Sequence, residues 1–481
     1  MEDILLERKT GFADRFFGIS QSHSSVKTEV LAGITTFITI AYILILNPQI
    51  LSDPYLIMGD AAMAQKIANG VFIGTCIGAF IGTILCALYA RVPFAQAPGM
   101  GLNAFFAYTV VLGMGYTYGQ ALVIVFISGI FFIVITAIGL REAIIRSIPD
   151  AVKTAITPGI GLFITIIGLK NAGIVISNPA TLVSLVDFSK WRSGADMVLI
   201  NGALVALVGL VIMGILHARK VKGSILLGII AATLIGIPLG ITHLSNLDMN
   251  LGVKFQDFAE VSFLKMDFAG LFAGTNFVET LFTVTMLVIS SSLVNMFDSI
   301  GTLLGAAKQS GMIDENGEVI RMKQALMSDA VSTLAGAMVG TSTVTTVVES
   351  SAGIAEGGRT GMTSLVTALM FLGAILFAPI VSIVPAAATA PALIFVGILM
   401  LGNIRDVDFS DMSNALPAFC TIVFMPFTYS IANGVAFGLI TYCLIHQTVG
   451  NQSECRRREV KALTLMISFV FVVRYAFMTL G

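Results

Sequence analysis

The chain is 481 residues long, 56% hydrophobic and 11% charged, with a mean hydropathy of +0.92. A soluble globular protein carries about 25% charged residues, so this composition excludes an ordinary water-soluble domain and points to a chain solvated mainly by the lipid bilayer. A net charge of −1 gives no case for a nucleic-acid partner.

The N-terminus, MEDILLERKTGFADRF, is charged and amphipathic rather than a cleavable signal. Crossing a bilayer takes roughly 20 apolar residues in a helix. Runs of that kind lie near 30–51, 70–90, 119–140, 154–170, 196–216, 223–242 and 276–300, with another at 324–340 that is interrupted by Asp329. The stretches 360–404 and 412–453 each have room for two helices. Two segments, 94–113 and 344–358, are too short and too broken to be simple spans. The expected fold is an all-α membrane protein of about fourteen segments. The apolar tail at 462–480, which contains Arg474, is either a fifteenth span or an interfacial helix.

Charge supports this layout. Of the 27 Lys and Arg residues, the loops on one side hold only Lys66, Lys170, Lys190, Arg192, Lys254 and Lys265. Arg474 aside, the rest fall on the other side, which the positive-inside bias makes cytoplasmic, with both termini there. The two broken segments are the third of each half. Ser147-Ile148, Ala151 and Thr154-Ala155 recur as Ser382-Ile383, Ala386 and Thr389-Ala390. Seven segments per half is an odd number, so a duplicated half sits inverted. Inverted repeats with paired interrupted helices place a transported substrate at the interruptions.

The segment Thr341–Gly361, TSTVTTVVESSAGIAEGGRTG, is the most informative stretch. Irregular backbone at membrane depth survives only where protein buries it or a cavity adjoins it, and an ionisable group there is a functional candidate. The β-branched run Val344–Val348 favours extended backbone, and Ser350-Ser351 after Glu349 suit the start of a short helix. Pro98-Gly99-Met100-Gly101 breaks the third segment likewise and delivers Asn103 into its second half. Facing extended pieces are able to pair, and the half-helix N-termini would aim free N–H groups and positive dipole ends at the breaks. Asn103 and Glu349 are then expected to converge on a pocket for a polar planar molecule, walled by phenylalanines such as Phe37, Phe72, Phe105 and Phe106.

Each of these residues has a plainer alternative. Glu349 pairs with Arg359 or accepts from the Ser350-Ser351 amides, and Asn103 caps its helix. Asp298 lies in an apolar span, where a charge costs at least about 2.5–3.5 kcal/mol on insertion scales, and Asn295 shares its face. Burial disfavours a charged carboxylate, which suits Asp298 and Glu349 to proton coupling. Asp329 is read chiefly as a helix-to-helix hydrogen-bond former, with a relay acid as the alternative. The five cysteines (Cys76, Cys86, Cys420, Cys443 and Cys455) are scattered and form neither a disulfide framework nor a metal knuckle. The four histidines never form an i, i+4 pair, so no metal and no cofactor is expected.

Four motifs, TEVLAGITTFITIAYILILNPQIL (28–51), QAPGMGLNAFFAY (96–108), FDSIGTLLGAAKQSGMID (297–314) and VESSAGIAEGGRTGMTS (348–364), closely resemble the AzgA-like purine permeases. These are a branch of the nucleobase–cation symporters with the uracil-permease fold. The resemblance runs from about residue 10 to the C-terminus. It implies two inverted repeats of seven segments and proton symport of adenine, guanine or hypoxanthine across the plasma or inner membrane, and it is compatible with a homodimer. It also implies a cytoplasmic tail at 1–29 and a core domain at 30–140 (segments 1–4) and 276–383 (segments 8–11). The gate domain would occupy 141–242 (segments 5–7) and 384–450 (segments 12–14). An extracytoplasmic loop at 243–275 and a C-terminal tail at 451–481 complete the layout. By position, the purine contacts fall on Gly101, Asn103, Asp298 and Glu349, flanked by Ser350. Asn295 stands where the family pattern often has an acid, and it remains a candidate contact.

Three rivals remain. A sulfate-type anion transporter shares the layout but wants positive charge at its site. A membrane enzyme needs a nucleophile–base pair or metal cluster, and no histidine lies near Glu349. A channel is better served by a ring-lined pore than by lone acids at broken helices.

Overall fold

The computed structural model describes residues 12–139, 148–193, 196–244, 250–273, 277–310 and 320–448, and, between 464 and 475, residues 464–466, 468–469, 471–472 and 475. In chain order, segments 1 and 2 are Val26–Ile57 and Ala61–Ala90. Segment 3 is strand β1 (Gln96–Pro98) followed by helix Met100–Gly113. Segments 4, 5, 6 and 7 are Tyr118–Ala137, Asp150–Asn171, Met197–Ala218 and Ser224–Gly236, with a hairpin of β2 (Val175–Asn178) and β3 (Leu182–Leu185) between 5 and 6. Segments 8 and 9 are Phe277–Ser310 and Met322–Met338. Segment 10 is strand β4 (Val344–Thr346) followed by helix Ser350–Ala355. Segments 11 to 14 are Gly361–Val381, Ala386–Asp406, Met412–Phe427 and Ile431–Thr448. Among the described residues, eight helices are long and apolar enough to cross a membrane.

Polar caps fix where segments begin. Ser25 Oγ accepts from Thr28 N at 3.1 Å, Asp60 Oδ1 from Met63 N at 2.9 Å and Asp411 Oδ1 from Ser413 N at 2.9 Å. Thr117 and Gln120 form a reciprocal capping box on segment 4, satisfying N–H groups that a helix start leaves without partners. Segment 2 begins nearly ten residues before its apolar run. Its first turns are amphipathic, and Lys66 there pairs with Glu260 at 2.9 Å. Hydropathy alone misses such polar helix ends.

Strands β1 and β4 pair antiparallel, Gln96 with Thr346, Ala97 with Thr345 and Pro98 with Val344. Corresponding segments of the two halves thus run in opposite directions, as an inverted seven-segment duplication requires. Their pairing satisfies backbone groups that would otherwise be bare at membrane depth. Segments 5, 6, 7, 12, 13 and 14 pack chiefly on one another, and segments 1, 2, 4, 8, 9 and 11 gather around the strand pair. Sequence reading did not find the β2/β3 hairpin, whose register runs from Val175 with Leu185 to Asn178 with Leu182. In the tail, Tyr475 Oη donates to Asn433 Oδ1 at 3.0 Å and Phe471 is buried, so the described part lies against segment 14.

Candidate functional site

The strand pair is held by an acid. Asp329 of segment 9 accepts from Thr345 Oγ1 at 2.8 Å, the Thr346 amide at 2.9 Å and Ser299 Oγ at 2.6 Å. Asp329 is fully buried, so these charge-assisted bonds offset its desolvation. It bridges segment 8 to β4, in line with the hydrogen-bonding role read from sequence. Asn295 joins the same network, donating to Thr333 Oγ1 at 3.4 Å and accepting from Ser299 Oγ at 3.3 Å. Asp298 lies within helix Phe277–Ser310; its side chain falls outside the described residues.

Glu349 follows β4 directly, at the N-cap position of helix Ser350–Ala355. Tyr42 Oη, from the bend between the two halves of segment 1, donates to Glu349 Oε1 at 2.5 Å. No other side chain bonds Glu349 among the described residues. Neither plainer alternative for this acid occurs. The Arg359 guanidinium donates instead to the Ile354 and Gly358 carbonyls at 2.6 and 2.8 Å. The Ser350 and Ser351 amides bond the Val347 and Val348 carbonyls at 3.2 and 3.0 Å. The free N–H groups expected at this break are therefore engaged within the turn. Ser350 Oγ is also engaged, donating to Val347 O at 2.7 Å and accepting from Ala95 N at 3.0 Å, which clamps β1 to segment 10.

Asn103 sits at the other end of the strand pair. It is fully buried, and its Oδ1 accepts from Ser342 Oγ, while Nδ2 faces Met100 Sδ at 4.0 Å. Antiparallel pairing explains the separation, because each half-helix leaves the pair at the opposite end. Two steps of about 3.4 Å each put roughly 7 Å between those ends. Asn103 and Glu349 thus flank the strand pair from its two ends, each on its own partner, Ser342 and Tyr42. Asn103→Ala separates the two roles left to this residue. A ligand role predicts a severalfold rise in the KM for uptake at unchanged abundance, and a purely structural role predicts loss of the protein from the membrane.

Two glycines set close approaches. A Cβ at Gly101 would stand 2.8 Å from Ile160 Cγ2 of segment 5, so the Ile160 side chain packs directly on the backbone of segment 3 there. A Cβ at Gly353 would fall 2.6 Å from Ala32 O, so segment 10 lies directly on segment 1. Of the proposed aromatic walls, Phe37 packs edge-on against Phe371 with centroids 5.4 Å apart, and Phe106 against Tyr118 at 5.3 Å. Phe105 is buried, and Phe72 borders a different cavity.

Sequence reasoning missed Tyr42 and Glu29. Glu29, fully buried, accepts from the Arg359 amide at 3.0 Å, the Thr363 amide at 3.2 Å and Thr363 Oγ1 at 2.5 Å. It ties the corner between segments 10 and 11 to segment 1. The available signal was a tyrosine hydroxyl and an acid on one apolar span, each of which needs a partner when buried.

Antiparallel broken segments around an acid, held within two groups of packed helices, define a membrane transporter. A family model described as Permease family matches residues 27–437, and the chain belongs to that family, as its four motifs implied. The adenine permease AdeP of Escherichia coli is 37% identical over 467 residues, covering 97% of this chain and 96% of that protein. The guanine/hypoxanthine permease PbuO of Bacillus subtilis is 37% identical over 467 residues, covering 95% and 99%. Among solved structures, the transmembrane domain of the cyanobacterial bicarbonate transporter BicA matches with a TM-score of 0.59 at 18% identity, over 84% of this chain and 96% of that one. That likeness concerns the fold alone.

Proposed function

We propose that this permease carries a purine nucleobase (adenine, guanine or hypoxanthine) into the cell by proton symport, with Glu349 as the principal ligand. The observation that carries this reading is the Glu349 carboxylate at the paired breaks, bonded by the Tyr42 hydroxyl on one oxygen. A carboxylate is an acceptor-only group with room for more than one donor, so it suits the N–H edge of a base. The substrate class rests on the two relatives named for adenine and for guanine/hypoxanthine, which match nearly end to end. An anion is supported less well, because the Arg359 guanidinium, the cation nearest in sequence, faces backbone carbonyls.

In this reading the segments around the strand pair form the core and segments 5–7 and 12–14 the gate, and the core moves against the gate along contacts such as Gly101 on Ile160. The termini are cytoplasmic. Purified protein in liposomes should take up labelled adenine or hypoxanthine saturably, driven by an acidic exterior and abolished by a protonophore. Unsaturated flux would mark a channel, and gradient-independent uptake would remove the proton from the account.

Asp298 is proposed as the main proton carrier, since it lies on an unbroken span and its proton can exchange without remaking backbone. Asp298→Asn should still bind purine and exchange labelled for unlabelled base across vesicles, yet fail to concentrate it. Accumulation with wild-type pH dependence would leave both roles to Glu349.

A further inference from the structure

Two cavities open at the end of the bundle where segments 1, 5 and 11 finish and segments 2 and 12 begin. One, of about 280 Å³, lies among segments 1, 2 and 11 and helix Leu251–Asp257. The other, of about 150 Å³, lies between segment 1 and gate segments 5 and 12. Both are bordered by Gln49, Ser52 and Leu56, so they are two lobes on either side of one ledge of segment 1. Gln49 is seven residues beyond Tyr42, or roughly 10 Å along the helix axis. The ledge therefore stands two turns from the Tyr42–Glu349 pair.

The lobes carry oriented polar groups beside apolar walls. In the larger one, the buried Lys254 donates through Nζ to Asn69 Oδ1 at 3.0 Å. Asn69 Nδ2 in turn donates to Asp257 Oδ2 at 2.8 Å, which fixes the amide beside the apolar edge of Phe72. In the smaller one, Tyr108 Oη donates to Asp53 Oδ2 at 2.7 Å, and Asn171 Nδ2 lies 3.5 Å from the same hydroxyl. Gln49 spans the seam, with Nε2 donating to Val384 O at 2.9 Å and Oε1 accepting from Thr389 Oγ1. Movement of the gate would break these bonds and free a carboxamide, which can donate and accept together.

We propose that the two lobes form an outer vestibule that binds a planar heterocycle with adjacent hydrogen-bond donor and acceptor groups along its edge before it reaches Glu349. A cation and amide on one wall, a carboxylate on the other and apolar side chains between them match the few convergent polar groups of a small-molecule site. The inference rests on the purine reading for the identity of the occupant, and on the placement of this end of the bundle outside the cell.

Thiol protection tests it. Ala68→Cys places a thiol in the larger lobe without removing a polar group, and Ser382→Cys is the second position if the first protein does not accumulate. Intact cells are treated with a membrane-impermeant maleimide, and labelling is counted above that of the unsubstituted protein. Saturating hypoxanthine or adenine should slow labelling at least threefold, and by the same factor when Glu349→Ala is added. Absence of protection overturns the vestibule. Protection that vanishes with Glu349→Ala also overturns it, since the base then acts from the central site. Purine uptake by the unsubstituted protein is measured in parallel. Protection without uptake leaves the vestibule standing and refutes the permease reading instead.

Discussion

Glu349→Ala is expected to abolish purine uptake, by about a hundredfold or more, while the protein stays in the membrane at wild-type abundance. The carboxylate's described side-chain partner is Tyr42 Oη at 2.5 Å, and no strand or helix depends on it. Removing it costs the fold one hydrogen bond and costs the bound base its charged acceptor. Hydrogen bonds to a charged group contribute about 1.5–3 kcal/mol each, and every 1.4 kcal/mol is about tenfold in affinity. Two such bonds to a base edge account for the predicted loss. Glu349→Gln keeps one acceptor oxygen for Tyr42 or the base and should retain weak binding. Uptake kinetics and membrane abundance, measured together, decide this, and normal kinetics in the alanine variant would remove Glu349 from the site.

Asp329→Ala should act through the fold. It leaves the Thr346 amide, Thr345 Oγ1 and Ser299 Oγ without their shared acceptor in a fully buried place. Each stranded group costs about 1–3 kcal/mol, so a destabilisation of about 3 kcal/mol or more is expected. The purified variant should melt well below wild type or fail to accumulate, and Asp329→Asn should recover part of the loss. Unchanged melting with an altered pH dependence of uptake would make Asp329 a relay acid instead.

These two acids mark what was legible in the sequence. The third and tenth segments stood out because Pro-Gly and a β-branched run interrupt apolar stretches, and they proved to be the paired strands. The other twelve segments followed from run length, with ends misplaced where amphipathic turns extend past the apolar zone. Which polar groups meet was not legible, since that depends on contacts more than 300 residues apart. Tyr42 with Glu349 and Glu29 with Thr363 are such pairs. Nor was it legible that Asn103 and Glu349 flank the strand pair from opposite ends. Antiparallel strands send their helices away from opposite ends, and Asn103 finds Ser342.

The central claim is that the base binds on Glu349, and an electron cryomicroscopy structure with adenine or hypoxanthine bound tests it most directly. The account predicts density for a planar base with one edge within hydrogen-bond distance of the Glu349 carboxylate, close to Tyr42. A base seated elsewhere, with the Tyr42–Glu349 bond intact and no ligand contact to that carboxylate, would contradict it.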